Sequence, residues 1–291
     1  MPLGFETALG EITLVLFTTL APSGIVACAI MAGVLVFSPL GAAERIRINR
    51  GLCVPLVITM VGLMASATHL GSPANALYVF LGVGRSPLSN EVFAAVLFLA
   101  SCGLYWLFCF TEKQYVTAQK AWCVFIIVTG AVCVGAIARA YDAPTIVTWS
   151  TPFVPANVWL SAFAGGPLLG MASLRVARAV CLHRLASKVL LAVSFAALAA
   201  NLSVLAAQSV DLFNIWNGYG TAASLVPWYP AMVVLYGMAG IAAVLFVAAA
   251  MRGGKLPSAS KLGACCVLFF AGLFVVRFGF YMMHMTYGMG I

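Results

Sequence analysis

The 291-residue sequence is short of charge: 8% of its residues are Asp, Glu, Lys or Arg, against 64% that are apolar. Such a composition cannot clothe a soluble surface in polar groups, so a soluble globular protein is excluded and a polytopic membrane protein is implied. Acids are the scarcer sign, seven against fifteen Lys and Arg, and there are only three histidines. Nine cysteines are present, but Cys28, Cys53, Cys102, Cys109, Cys123, Cys133 and Cys181 are dispersed, and Cys265 and Cys266 are adjacent. None has the spacing of a zinc site or an iron–sulfur cluster, so they read as small packing residues and no metal site is expected. No polar stretch is long enough for a soluble core. Residues 1–291 therefore read as one integral-membrane domain, and any soluble redox or catalytic domain must belong to another polypeptide.

What is abundant is apolar sequence. A spanning helix needs about 20 mostly apolar residues, and eight stretches qualify: roughly 9–36, 52–70, 88–110, 121–142, 156–176, 188–208, 228–251 and 262–287. The fold class is thus all-α, an eight-helix transmembrane bundle. The first stretch carries Glu6 and Glu11 in place of a basic leader and is too long for a signal segment, so it reads as a retained helix. Arg45, Arg47, Arg50, Lys113, Lys120, Arg175, Arg178, Arg184, Lys188, Arg252, Lys255 and Lys261 fall in or beside alternate loops, twelve of the fifteen basic residues. Cytoplasmic loops hold Lys and Arg, which puts both termini on the outer, periplasmic side. The net charge of +8 is accounted for by topology and calls for no nucleic-acid partner.

Polar residues inside spans are costly and mark either function or pairing. His69 ends one span and Glu91 begins the next, both at the outer face. As helix-end residues each can complement a helix dipole, with Ser86 as cap and Pro87 at the first helical position before Glu91, and Gly71 and Pro73 stopping the helix after His69. Arg139 and Asp142, three apart, can face one another beside Tyr141. Arg277, Tyr281 and His284, at spacings of four and three, share one helix face. Gln208 and Asp211 close the outer end of the sixth span. Glu6, Glu11, Glu91, Asp142 and Asp211 all map to the outer half, while Glu44 and Glu112 lie in inner loops; no acidic relay leads inward. His183 lies in a basic inner loop.

Several ordered motifs then carry a resemblance. His69-Leu70-Gly71-Ser72-Pro73, Leu88-Ser89-Asn90-Glu91, Arg139-Ala140-Tyr141, Trp149-Ser150-Thr151-Pro152, Gly165-Gly166-Pro167-Leu168-Leu169-Gly170 and Phe280-Tyr281-Met282-Met283-His284-Met285-Thr286-Tyr287-Gly288-Met289 together resemble the membrane-anchor subunit of respiratory dimethyl sulfoxide reductases. The resemblance spans nearly the whole sequence. It implies an inner-membrane subunit of anaerobic respiration that anchors a molybdopterin catalytic subunit and a four-cluster iron–sulfur subunit. Such a subunit oxidises menaquinol and passes electrons on, with no haem and no iron–sulfur cluster of its own. The family's functional histidine and glutamate map onto His69 and Glu91. Ser72, Arg139, Tyr141, Arg277, Tyr281 and His284 match family motifs and stand as secondary quinol contacts.

Quinol oxidation releases two protons with two electrons, so the site needs acceptors within hydrogen-bond reach, which a neutral His69 and Glu91 would supply. Other readings stay open on the residues alone. His69 and His284, both near the outer boundary, could ligate one haem b. Buried charges with Gly- and Pro-interrupted spans could line a small-solute transporter. A quinone subunit of polysulfide- or nitrite-reductase type would share the architecture, and a purely structural anchor would use His69 and Glu91 as caps alone.

Overall fold

With no water to satisfy peptide groups, a polypeptide this apolar must close its hydrogen bonds within helices. The structure, a computed structural model, describes residues 4–69, 73–111, 113–182, 184–218, 220–252 and 256–286. Its elements run α1 (Phe5–Gly10), α2 (Ile12–Phe37), α3 (Ala42–Gly51), α4 (Cys53–Thr68), a 3-10 helix (Pro73–Gly82), α5 (Pro87–Phe108), α6 (Val116–Ala140), α7 (Phe153–Val176), α8 (Arg184–Asp211), a hairpin of β1 (Trp216–Asn217) and β2 (Gly220–Thr221), α9 (Ala222–Leu225), α10 (Tyr229–Arg252) and α11 (Ala259–Met282).

Among the described residues seven helices are long and apolar enough to cross a membrane: α2, the nearly continuous α3–α4 from Ala42 to Thr68, α5, α6, α8 from Leu185, α10 and α11. The expected fifth span forms as α7, 24 residues long, but is not among those seven. Its sequence carries Asn157, Ser161, Gly165, Gly166 and Ser173, all buried, and it packs against α2, α6, α8 and α11. A helix walled by protein meets little lipid and so has little need to be apolar.

Helix α2 is the axis of the bundle, touching α4, α6, α7 and α11. Small residues allow this closeness. A Cβ on Gly166 would collide with Val26, and one on Gly62 would stand 2.9 Å from the Ala21 backbone nitrogen. Backbones that approach so nearly gain the dispersion contacts that replace the hydrophobic effect between helices in lipid.

Three expected loops are more ordered than their composition suggested. Residues 42–51, expected in the first inner connection, form α3 and present Arg45, Arg47 and Arg50 on helix. The break at Leu52 follows from Pro55, which has no N–H to return to the Gly51 carbonyl. The outer connection 71–87 contains the 3-10 helix, and 209–227 contains the hairpin and α9.

Candidate functional site

Local sequence places the two principal candidates at one end of the bundle. His69 caps α4 in helical conformation, its N–H donating to the Ser66 carbonyl at 3.1 Å. Ser86 caps α5, accepting from the Ser89 N–H, with Pro87 opening the helix. The turn before it needs a left-handed residue, supplied by Gly84 at φ +84°, whose N–H donates to Asn90 Oδ1 at 2.7 Å. That clamp fixes the register of the next residue, Glu91. Glu91 lies beyond the first turn and is buried, 5% exposed, so it is not the first-turn dipole complement that its sequence position suggested.

The structure gives His69 a different acid. Its Nε2 lies 3.2 Å from Glu11 Oε2, the residue that separates α1 from α2. Both side chains are partly exposed, at 43% and 31%, so the pair sits at the rim of the bundle. Among the described residues no ion pair joins His69 to Glu91, and Glu91 has no ion-pair partner. Glu91 instead lies within electrostatic range of Tyr141 and Tyr281.

Those two tyrosines form the inner part of the cluster. Their hydroxyls are 2.7 Å apart, and Tyr281 Oη is 3.2 Å from the Leu14 carbonyl on α2. A hydroxyl carries one proton, so Tyr281 can serve Leu14 only while Tyr141 donates to Tyr281. Trp149 covers the pair: its ring stacks on Phe280 at 4.9 Å and meets His284 edge-on at 5.2 Å. The segment bearing Trp149 is stitched to the end of α11, where Val147 N–H donates to the Met285 carbonyl at 3.0 Å and Thr148 Oγ1 to the Met283 carbonyl at 2.6 Å. Among the described residues Trp149 Nε1 is buried without a hydrogen-bond partner. Burial pushes the His284 imidazole below its ordinary range, and the nearby Glu11 charge partly offsets this.

Arg277, one turn deeper on α11, lies within electrostatic range of Tyr281 and Tyr141 but hydrogen-bonds to another helix. Its Nη2 donates to Ser161 Oγ at 2.6 Å and the Asn157 carbonyl at 3.1 Å, both on α7. Around it, Asn157 Nδ2 and Tyr229 Oη donate to Gln208 Oε1 at 2.9 and 3.0 Å, and Asn201 Nδ2 donates to Asn157 Oδ1 at 2.8 Å. The void beside this network is about 10 Å3, room for about one water and no larger molecule. Arg277 thus braces α7 against α11. Arg139 pairs with Asp142 at 3.4 Å, as their spacing suggested, on a side chain 77% exposed and away from the buried cluster. Ser72 lies outside the described residues.

The structure therefore gathers His69, Glu91, Tyr141, Tyr281 and His284 at one end of the bundle and adds Glu11 and Trp149. Glu11 was legible only as one of five outer acids, and Trp149 only as part of a motif. This constellation is drawn from residues 11 to 284, and over residues 5–288 the sequence matches the family model described as DMSO reductase anchor subunit (DmsC). The protein belongs to the DMSO reductase anchor subunit family. It is 33% identical over 240 residues to the C subunit of anaerobic dimethyl sulfoxide reductase of Escherichia coli strain K12, covering 81% of each sequence. It is 31% identical to the YnfH subunit of anaerobic dimethyl sulfoxide reductase of the same strain, covering 97% of each. To the corresponding C subunit of Haemophilus influenzae it is 30% identical, over 98% of its own length and 99% of that relative. Family membership and the seven apolar helices make this anchor subunit a multi-pass membrane protein.

Proposed function

We propose that this anchor subunit binds and oxidises menaquinol at the end of the bundle that holds His69 and Glu91. It passes the electrons to the iron–sulfur subunit of a molybdopterin reductase of the dimethyl sulfoxide reductase type. In this reading α7 also crosses and brings the spans to eight, both termini lie on the periplasmic side of the inner membrane, and the iron–sulfur subunit carries four clusters. The subunit contributes no haem and no cluster of its own.

The observation that carries the proposal is the grouping of proton acceptors at one end: the His69–Glu11 pair at the rim and the buried Glu91 within electrostatic range of the linked tyrosines. Oxidation of a quinol removes two electrons and two protons, and two acceptors at different depths can each take one. His69 would accept from a quinol oxygen, with Glu11 stabilising the imidazolium that forms. Glu91 would take the second proton. The unpartnered Trp149 Nε1 is a donor suited to a quinone carbonyl. Around the acceptors, the exposed apolar side chains Leu77, Tyr78 and Leu81 of the 3-10 helix offer the partner subunit a contact surface.

Substituting His69→Ala or Glu91→Gln in the assembled complex should cut quinol-driven turnover by roughly 10²-fold or more, the scale of general-base loss. Turnover driven by a soluble artificial donor should be spared. Unchanged quinol-driven rates would refute the assignment. An absorbance spectrum of the purified subunit separates it from a haem b carrier, which would show a reducible Soret band.

A further inference from the structure

At the opposite end of the bundle, a buried charge has no evident use. Arg45 on α3 is 4% exposed. Its Nη2 donates to the Leu35 carbonyl at 3.0 Å, but its Nη1 is buried without a hydrogen-bond partner among the described residues. Among the described residues neither Arg45 nor Lys120 of α6 forms an ion pair. The neighbouring acid Glu44 is committed elsewhere, its Oε1 accepting from the Val180 and Cys181 N–H groups at 2.6 and 2.8 Å.

Arg45 and Lys120 line one cavity of about 290 Å3, together with Ser38, Gln114 and the first residues of two helices, Ala42 of α3 and Val116 of α6. Neither of those helix starts is capped by a side chain. Among the described residues their first N–H groups therefore lack a side-chain cap, and they add partial positive charge to that of the two cations. A buried guanidinium donor left unmet is costly, and an anion with several oxygens would satisfy all of these groups together.

We propose that this cavity binds the phosphate of an anionic phospholipid head group. A free phosphate ion offers the same oxygens, but the rim favours lipid. Phe37, at the end of α2 next to Ser38, is 81% exposed, and Val116 is 41% exposed, so apolar groups border the charged floor as they would at the junction of head groups and acyl tails.

The test is thermal unfolding of the detergent-purified subunit with added phosphatidylglycerol, phosphatidylcholine or inorganic phosphate. Phosphatidylglycerol should raise the midpoint and phosphatidylcholine should not. Lys120→Gln should weaken the apparent affinity for phosphatidylglycerol about five-fold, the effect of one cation near an anionic lipid surface, and Arg45→Gln with Lys120→Gln should abolish the response. Should the Arg45 variant fail to fold, the half-buried Lys120→Glu carries the test alone, with a predicted loss greater than that of Lys120→Gln. A midpoint indifferent to phosphatidylglycerol, or a Lys120→Glu variant that responds like the wild type, overturns the proposal. A response to inorganic phosphate equal to that to phosphatidylglycerol overturns the lipid assignment in favour of a free-anion site.

Discussion

His69 meets Glu11 at the rim of the bundle, and the two need each other for different reasons. Partly exposed ion pairs contribute about 0–1 kcal/mol, so Glu11→Gln should leave the melting midpoint of the complex nearly unchanged. If Glu11 stabilises the imidazolium as quinol is oxidised, the same substitution should slow quinol-driven turnover by roughly five-fold, the kinetic equivalent of about 1 kcal/mol. Equal turnover in the variant and the wild type would restrict Glu11 to a structural role. His284 carries a pH signature. Its imidazole is held below the ordinary range of about 6.5, so the folded state binds fewer protons than the unfolded one near that pH. The resulting stability is fully present above about pH 6.5 and is lost as pH falls through the folded value. Thermal unfolding between pH 7 and 5 should therefore decline more steeply in the wild type than in His284→Gln. His69 and Glu91 could be singled out in the sequence because each interrupts or borders an apolar run. Glu11 could not, since an acid at the start of a span reads as a boundary marker, and only the approach of the α4 end to the start of α2 makes it a partner.

Close approach is what the elements share. Gly166 of α7 lies against Val26 of α2, so Gly166→Leu should destabilise the bundle by about 1–3 kcal/mol through overpacking, or prevent α7 from seating. The check is the melting midpoint in detergent, alongside Gly33→Leu as a control, because a Cβ at Gly33 meets nothing within 4 Å. On the other face of α7, Asn157→Ala removes the Nδ2 donor to Gln208 and the Oδ1 acceptor of Asn201, and should cost about 1–3 kcal/mol for the buried polar groups left unmet. Helix α7 also marks where reading from hydropathy weakens. Its polar and glycine-rich composition follows from neighbours on several sides, α2 and α11 among them, that are distant in sequence. Helix α3 shows the converse: a basic stretch reads as a loop, yet it folds as a helix where Arg45 can reach back to the Leu35 carbonyl. Long uniform runs such as α6 and α10 were legible because lipid rewards the same property along their whole length.

Across the whole molecule, the described acids are divided between the two ends. Glu11, Glu91 and Asp142 belong to the end that holds His69, and Glu44 to the other, where two backbone N–H groups occupy it. With no line of acids leading inward among the described residues, the proposed quinol oxidation should release its protons from His69 and Glu91 on that same side. With the reductase consuming its protons on that side too, a complex reconstituted in vesicles and turning over with quinol should build no sustained membrane potential, which a potential-sensitive dye would report. The arrangement of α2 has a further bearing on how the protein is made. Helix α2 emerges from the ribosome ahead of the other long helices, yet its neighbours α7 and α11 follow more than a hundred residues later, so it must wait in lipid without them. Its 26 residues contain no charge, which lets it wait at little cost. Arg277, costly to immerse, belongs to α11, made after α7, when Ser161 and the Asn157 carbonyl are already in place to receive it. Synthesis thus proceeds from the helix that tolerates solitude to the one that requires company.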